Sequence, residues 1–296
     1  MHRTSILAVL LVLGCDSKPP GSNPGPKGAA GVLKFTAIPG DNTTELREKF
    51  KPLEEHLTRV LGIRVEYVPT LDYNASVESF VNGDVHLAWF GGLTGIRAAK
   101  AVPGARPIAQ GKVDPEYRSY FIANKNSGID PGDGFPMALA GKKFTFGSDS
   151  STSGRLMPEY FIRKNTGKSP KEFFGAEMSF SGSHEKTAAL VEAGTFDAGA
   201  IDYKTYDRLV AEKKIHADVC RIIWTTPRYP DYHWMVHPKI DEVFGAGFSD
   251  KLQSAMLAMT EPRLLEAINR KEGLIAAKPE EWNVLRDLAK ELGLIR

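Results

Sequence analysis

The 296-residue chain has few cysteines, almost no net charge and no long apolar run. Its two cysteines are Cys15 and Cys220. Cys15 follows a short N-terminal apolar segment and lies outside the predicted folded part of the chain. Cys220 is then the one cysteine of the folded part and has no partner for an intramolecular disulfide. Cys220 is expected to be a buried, unreactive thiol. The chain has 38 basic and 36 acidic side chains, a net charge of +2, which excludes a surface built to bind nucleic acid.

The N-terminal segment differs in composition from the rest of the chain. A basic start precedes an apolar stretch of 8 residues (6–13), which is too short to span a bilayer. Residues 1–14 are therefore predicted to be a signal peptide. The sequence LVLGC (11–15) resembles the bacterial lipobox, which implies that Cys15 is lipidated and tethers the protein to a membrane. A plain secretory signal is the alternative. Residues 15–31 are predicted to be the lipidated Cys15 and a flexible linker, rich in proline, glycine and serine.

Strand and helix patterns alternate from Val32 onward, which predicts an α/β protein with mostly parallel sheets covered by helices. The apolar residues at 46, 50, 53, 57 and 60 define one helical face, and Pro52 within it is expected to kink or divide the helix. Other helices are predicted at 74–81, 153–165 and 183–192 and from 249 onward. Strands are predicted at 32–38, 63–68, 85–90, 121–124, 143–146, 178–180, 197–201, 221–226 and 232–236.

Ligands of open α/β sheets bind beyond the carboxyl ends of the strands. Polar or aromatic residues stand at several of these ends: Tyr73, Trp89 with Phe90, the segment 147–153, and Asp202. Tyr73 and Trp89 could equally be ordinary wall or core aromatics. Asp202 could contact a ligand or cap the following helix. The strand ends therefore indicate where a site would be, without fixing its ligand.

The segment GSDSSTSGR (147–155) follows a predicted strand and opens a predicted helix. The free amides at a helix N-terminus favour an anion, and Ser151, Thr152 and Ser153 add three hydroxyl donors, so the segment predicts an oxyanion site. Simple N-capping is the alternative. A nucleophilic triad with His184 and Asp202 is a further alternative, although the Gly-x-Ser-x-Gly elbow is missing.

Five segments together resemble the phosphate, phosphite and phosphonate group of type II periplasmic solute-binding proteins. They span most of the chain from Val32 to Val236. The segments are PTLDY (69–73), DVHLAWFG (84–91), STSGRLMP (151–158), GSHE (182–185) and YPDY (229–232). The resemblance implies two lobes joined by crossing strands that close on a ligand like a hinge. It also implies delivery of that ligand to an ABC transporter.

Residue by residue, the resemblance assigns the oxyanion to Ser151, Thr152 and Ser153. His184 matches a histidine that donates to the oxyanion, and Tyr73 matches a tyrosine supplied by the first lobe. Without the resemblance, His184 would be an ordinary residue of a helical first turn capped by the preceding serine.

The remaining matches concern the identity of the oxyanion. Phe90 stands where many relatives have a tyrosine, so one hydroxyl donor is missing, and Trp89 or nearby glycine amides are expected to compensate. Asp231 matches an acid near the second hinge crossing, although it could equally be a turn residue. Lys204 stands where aminophosphonate-binding relatives have an acid, which disfavours an ammonium-bearing ligand. An acid such as Asp202 or Asp231 beside an anion favours a protonated oxyanion, since two negative charges would repel each other.

The predicted protein is a periplasmic, membrane-anchored lipoprotein that binds its ligand without chemistry. It comprises one lobe from 32–120 plus 226–296 and a second lobe from 121–225. The expected partners are a small oxyanion, an ABC transporter permease and the membrane, and the expected state is a monomer. No cofactor, metal site or enzymatic activity is predicted. A sensor-kinase partner and a selenate-type ligand are the alternatives, the second because the Trp-Phe-Gly-Gly stretch resembles a selenate-associated branch.

Overall fold

The computed structural model describes residues 31–40 and 43–295. The predicted signal peptide, Cys15 and nearly all of the linker therefore lie outside the described residues. The strands are β1 Leu33–Ala37, β2 Val65–Tyr67, β3 Leu87–Phe90, β4 Arg106–Gly111, β5 Ser119–Asn124, β6 Phe144–Phe146, β7 Ser179–Phe180, β8 Ala198–Asp202, β9 Cys220–Thr225, β10 His233–Val236 and β11 Leu274–Ala276.

Helices separate most of these strands and cover the sheets. They are α1 Thr43–Leu61, α2 Tyr73–Val81, α3 Gly92–Ala101, α4 Met157–Thr166, α5 Pro170–Phe174, α6 His184–Glu192, α7 Tyr203–Ala211, α8 Lys239–Phe244, α9 Phe248–Leu257, α10 Pro262–Ala267 and α11 Asn283–Glu291. A π-helical turn, Thr152–Leu156, leads directly into α4. Within the described ranges, no helix has both the length and the apolar content needed to cross a bilayer.

The strands form two sheets, one with the order β11-β4-β10-β3-β1-β2 and one with the order β7-β6-β8-β5-β9. In the first sheet β1 is parallel to β2 and β3, while β10 runs antiparallel to β3 and β4. In the second sheet β6 is parallel to β7 and β8, while β5 runs antiparallel to β8 and β9. The α/β class is confirmed, but the sheets are mixed rather than mostly parallel. The chain passes from the first sheet to the second just before β5 and returns just before β10, so each of these reversed strands is the first strand after a crossing.

Two chain segments cross between the sheets and pair with each other. The Tyr117 amide donates to the Tyr229 carbonyl at 2.8 Å, and the Tyr229 amide donates back at 2.9 Å. The Asp231 amide donates to the Asp114 carbonyl at 3.0 Å. The predicted lobe bounds (32–120 plus 226–296, and 121–225) remain a prediction; the first sheet draws its strands from 33–111 and 233–276. The paired crossings place both connections at one point between the sheets.

Helix α1 is continuous although Pro52 lies inside it. A proline in a helix interior costs about 3 kcal/mol because it removes a hydrogen bond and crowds the preceding turn. The predicted apolar face compensates, since Phe50, Leu53 and Leu57 are buried. Val60 was expected on that face but is 42% exposed. The expected break at Pro52 is therefore wrong, because tertiary packing of α1 outweighs the local cost, while the expected kink stays a prediction.

Cys220, the one cysteine of the described residues, is buried at the start of β9 and is not part of a disulfide. Burial raises the pKa of the Cys220 thiol to about 12, with a smaller contribution from the Glu192 carboxylate. A thiol with so high a pKa is protonated at neutral pH and reacts slowly. The expectation of a buried, unreactive cysteine is confirmed.

The cost of Pro52 can be measured. Replacing Pro52 with alanine should raise the free energy of unfolding by about 1 to 3 kcal/mol, because the helix gains a hydrogen bond and loses a steric conflict. Urea unfolding followed by circular dichroism gives this quantity. Lys51→Ala, a change at the exposed neighbouring position, serves as the control and should shift stability by less than about 0.5 kcal/mol. A less stable Pro52→Ala protein would contradict the prediction.

Candidate functional site

A cleft lies between the two sheets at the carboxyl ends of their strands. Tyr73 and Trp89 line it from the first sheet, and His184 and Asp202 line it from the second. The sequence predicted all four. The cleft is also lined by residues that the sequence analysis did not select: Tyr117, Tyr232 and Arg270. Tyr232 lies within the quoted YPDY segment, while Arg270 belongs to no motif.

Tyr73 begins helix α2, which is capped by Asp72 through a 2.8 Å hydrogen bond from the Ala75 amide. The Tyr73 ring is buried, and its hydroxyl hydrogen-bonds with Tyr232. Burial, together with surrounding carboxylates, raises the pKa of Tyr73 well above its ordinary value. The hydroxyl is therefore protonated at neutral pH and can act as a donor.

Trp89 and Phe90 are adjacent in β3, so their side chains point to opposite faces of the sheet. Trp89 lies on the cleft side and stacks on Tyr232, with ring centroids 5.6 Å apart. Phe90 is fully buried and packs against Phe80, with ring centroids 5.5 Å apart. The structure therefore places the Phe90 side chain in the core, and the prediction of a Phe90 side-chain contact with a ligand is corrected.

The segment after β6 forms a wide turn before the helix. Its first helical residues, 152–156, have π geometry, and the Leu156 amide donates to the Ser151 carbonyl at 3.0 Å. Single π turns of this kind are frequent at functional sites. A side chain at Gly154 would be crowded, because a Cβ there would lie 3.0 Å from the Gly147 Cα and 3.1 Å from the His184 Cε1. The glycines let the turn pack tightly beside the histidine.

The three predicted hydroxyls of this turn have different surroundings, and all three residues are buried. Ser151 is the N-cap, with its hydroxyl accepting from the Gly154 amide at 2.9 Å. The Thr152 hydroxyl accepts from the Leu93 amide at 2.9 Å, a contact that joins the two halves of the protein. Ser153 Oγ lies 3.4 Å from His184 Nε2. The cap and the polar contacts therefore coexist within one turn.

His184 begins α6 and is oriented by its neighbours. Its Nδ1 accepts a hydrogen bond from the Asp202 amide at 3.3 Å, so the neutral ring has its proton on Nε2. Nε2 faces both Ser153 Oγ and Asp202 Oδ2, each at 3.4 Å. The ring thus directs one N–H donor toward the interior between the π turn and α7.

Asp202 is the N-cap of α7, as one of the two sequence interpretations expected. Its Oδ1 accepts from the Thr205 amide at 2.9 Å and from the Tyr117 hydroxyl at 2.6 Å. Burial acts to raise the pKa of Asp202, but the nearby His184 and the hydrogen bonds outweigh it, so the pKa is lowered. Asp202 is therefore a carboxylate at neutral pH, and it both caps a helix and lines the cleft.

Asp231 is fully buried at the second crossing segment, beside the π turn. Its Oδ1 accepts from the Gly92 amide at 2.9 Å, while Oδ2 has no hydrogen-bond partner among residues 31–40 and 43–295. Burial raises the pKa of Asp231 to about 7, although the Gly92 amide and the Thr152 hydroxyl act to lower it. A side chain at Gly91 would crowd this group, because its Cβ would lie 3.1 Å from Asp231 Oδ1.

The arrangement combines donors and acceptors suited to a small, partly protonated anion. Tyr73 and His184 line the cleft and each provide a donor, while the buried π turn lies behind the wall and contributes hydroxyls and the partial positive charge of a helix N-terminus. Asp231 provides a buried carboxyl group that can accept a proton from the anion or donate one. Within the described part of the chain, no cluster of histidine, cysteine or acidic side chains could hold a metal ion.

Lys204, which the sequence placed near the ligand, does not line the cleft. Its Nζ lies 2.6 Å from Glu272 Oε1 in an ion pair. The Lys204 carbonyl also accepts from the Asn269 side chain at 3.4 Å. These contacts join α7 to the segment after α10. Lys204 was expected to disfavour an ammonium-bearing ligand, but the structure does not place it at the cleft.

Known proteins resemble this chain over most of its length. Residues 35–282 match the family model of the ABC transporter phosphonate periplasmic substrate-binding protein. A probable ABC transporter phosphite-binding protein from Prochlorococcus marinus is 35% identical over 293 residues, covering 97% of this chain and 96% of the relative. A phosphate-import protein from Mycolicibacterium smegmatis is 31% identical over 212 residues, covering 69% and 65%.

A solved structure extends the comparison to three dimensions. The structure of a Prochlorococcus marinus protein in complex with methylphosphonate superimposes with a TM-score of 0.84 at 35% identity, covering 89% of this chain and 99% of that chain. By name, the two relatives bind or import phosphorus oxyanions through transport systems, and the two-lobed fold expected from the sequence is the fold of this solved structure. The chain belongs to the family of periplasmic substrate-binding proteins of phosphonate ABC transporters.

Proposed function

We propose that the ligand is a small, singly protonated phosphorus oxyanion of the phosphite or methylphosphonate type. The observation that carries this proposal is the buried Asp231, whose Oδ2 has no hydrogen-bond partner among the described residues. A fully deprotonated tetrahedral anion would be repelled by an Asp231 carboxylate. A ligand with a P–OH group instead donates a charge-assisted hydrogen bond to it. The names of the relatives, a probable phosphite-binding protein and a methylphosphonate complex, support the same ligand class.

Sulfate and selenate fit this site less well, because at neutral pH they have no proton to donate and can pair only with the protonated form of Asp231, which is lost as pH rises through about 7. A buried polar group left without its partner costs about 1 to 3 kcal/mol. The selenate alternative rests on the Trp-Phe-Gly-Gly stretch alone, and the Phe90 side chain of that stretch packs in the core against Phe80. The Asp231 environment therefore favours the phosphorus acids.

Capture and release without chemistry suits the geometry better than hydrolysis does. A Ser–His–Asp triad uses different ring nitrogens for the serine and the aspartate. Here Ser153 and Asp202 both approach Nε2 of His184, and Nδ1 accepts a backbone amide. The imidazole is therefore arranged to donate a hydrogen bond, and it is not arranged to take the Ser153 proton with Asp202 behind it. Turnover of a simple ester that is abolished by Ser153→Ala would contradict this view.

The proposed route of delivery is from a lipid-anchored monomer to the permease of an ABC importer. Cys15, at the end of the lipobox-like sequence, is the proposed anchor. Membrane fractionation tests the anchor, since a Cys15→Ala chain should appear in the soluble fraction. Neighbouring genes for a permease and an ATPase would support the importer. A neighbouring sensor-kinase gene in their place would favour a signalling role.

A thermal-shift panel tests the ligand class directly. Phosphite or methylphosphonate at 100 times its dissociation constant should raise the free energy of unfolding by about 2.7 kcal/mol, because only the folded state binds it. Phosphate, aminoethylphosphonate, sulfate and selenate complete the panel, and sulfate and selenate should give smaller shifts at equal concentration. No shift with any phosphorus acid, or a larger shift with sulfate, would refute the proposal.

The role of Asp231 can be tested by substitution. In Asp231→Asn the amide cannot accept the ligand proton with the strength of a carboxylate, so the affinity for methylphosphonate should fall about 10- to 100-fold. Isothermal titration calorimetry measures this affinity. Asp133→Asn removes the same charge from an exposed position and should leave it unchanged. Equal affinities of Asp231→Asn and the parent protein would contradict the proposed contact.

The raised pKa of Asp231 also predicts a pH dependence of stability. Between pH 4 and pH 7 the folded, ligand-free state holds a proton on Asp231 that the unfolded chain has lost. Stability should therefore fall as pH rises through about 7, by a total on the order of 4 kcal/mol from this group. Urea unfolding from pH 4.5 to 7.5 should show this decline in the parent protein and a flatter profile in Asp231→Asn. Parallel profiles would show that Asp231 titrates normally.

A further inference from the structure

A buried cation forms part of the cleft wall. Arg270 is 3% exposed and lines the cleft together with Tyr73, His184 and Asp202. Arg270 belongs to no sequence motif, and it is not part of the proposed oxyanion site. A charged side chain in this position is costly to bury, so its surroundings indicate what holds it there.

Asp114 neutralises Arg270 from behind. Arg270 Nε donates to Asp114 Oδ1 and Oδ2, each at 2.9 Å, and Nη2 lies 2.7 Å from Oδ1. Nη1 donates to the Asn269 carbonyl at 2.9 Å. Asp114 is fully buried and is not among the residues that line the cleft. The cleft is therefore lined by the guanidinium, while the balancing carboxylate is hidden behind it.

Three aromatic rings surround the same guanidinium. Its central carbon lies 5.1 Å from the Trp89 ring centroid, 5.3 Å from that of Tyr117 and 4.9 Å from that of Tyr232. Cages of aromatic rings at these distances bind cations, including alkylammonium groups of ligands. Here the protein's own Arg270 occupies the cage.

The cage adjoins the proposed oxyanion site through one side chain. The face of Tyr232 contacts Arg270, and its hydroxyl hydrogen-bonds with Tyr73. Tyr232 also follows Asp231 in the chain. A substituent that extends from a phosphorus atom held near Tyr73 and Asp231 toward the aromatic rings therefore meets Arg270.

We infer that Arg270, held by Asp114 within the Trp89–Tyr117–Tyr232 cage, is a specificity determinant that excludes phosphonates whose substituent ends in a cationic amine. Two effects act together: the cation repels an ammonium group, and it fills the cage that would stabilise one. This inference rests on the proposed function. It transfers to Arg270 the selective role that the sequence suggested for Lys204, which pairs with Glu272 instead.

Calorimetry with three ligands tests the inference. Methylphosphonate, propylphosphonate and 2-aminoethylphosphonate differ in substituent length and charge, and the last two are nearly isosteric. The parent protein should bind methylphosphonate at least 100-fold more tightly than 2-aminoethylphosphonate. It should also prefer propylphosphonate to 2-aminoethylphosphonate, which isolates the effect of the charge. Equal affinity for methylphosphonate and 2-aminoethylphosphonate would overturn the inference.

Paired substitutions remove the cation without leaving its partner carboxylate buried and unpaired. In Asp114→Asn/Arg270→Ala the preference for methylphosphonate over 2-aminoethylphosphonate should narrow at least tenfold, since charge and volume are both removed. Asp114→Asn/Arg270→Gln retains much of the side-chain volume and hydrogen bonding, and it should also reduce the ratio of the two affinities. This variant replaces the alanine variant if the latter does not fold. An unchanged ratio in a folded variant would overturn the inference.

Lys204→Gln/Glu272→Gln is the matched control, because it removes an ion pair that does not line the cleft. Its ligand ratios should equal those of the parent protein, and a narrowed ratio would assign the selectivity to Lys204 instead. Failure of the two proposals gives different results. If the parent protein binds no phosphonate or phosphite, the proposed function fails; if it binds methylphosphonate without rejecting the amine, only the role of Arg270 fails.

Discussion

The cleft depends on the buried carboxyl group of Asp231 and its hydrogen bond from the Gly92 amide. The Asp231 backbone also donates to the Asp114 carbonyl and accepts from Trp282 Nε1 at 2.7 Å, so the two crossings, α3 and the C-terminal region meet at this residue. Burial of a carboxylate is costly unless both oxygens are paired. The Asp231 carboxyl group is fully buried, and this burial raises its pKa to about 7 although the Gly92 amide and the Thr152 hydroxyl act to lower it. A buried carboxyl group with a strongly shifted pKa is typical of functional sites.

The helices are arranged around this acid with their N-termini toward the cleft. The π turn begins at Thr152, α6 at His184 and α3 at Gly92. Each N-terminus carries partial positive charge, which favours an anion of any kind, although the Gly92 and Leu93 amides of α3 already donate to Asp231 and Thr152. The positive ends therefore provide attraction with little selectivity. In the proposed function, the carboxyl group of Asp231 adds a condition that an unprotonated anion meets only when Asp231 is itself protonated, and so the same small space both attracts and discriminates.

The sequence predicted the residues that lie near strand ends, because strand and helix periodicity locates those ends. Tyr73, Ser153 and His184 are brought together as expected. Phe90 was misplaced because adjacent residues of a strand face opposite sides, and the sequence alone did not show which side faces the cleft. Arg270 was missed for another reason: it comes from a distant C-terminal segment, and its position depends on a long-range pairing with Asp114 that no local pattern records.

The positions of the selective groups follow from the geometry of a hinge. In a rotation about two crossing segments, atoms near the crossings move least and atoms at the cleft rim move most. Asp114 and Asp231 belong to the crossings, and Arg270 is fixed to Asp114. Thr152 and His184 belong to the half of the protein that contains the second sheet. If that half rotates about the crossings, as the family resemblance implies, Asp114, Asp231 and Arg270 would keep nearly the same positions while Thr152 and His184 arrive with closure. Selection would then begin before closure, and closure would add the hydrogen bonds that hold the selected ligand.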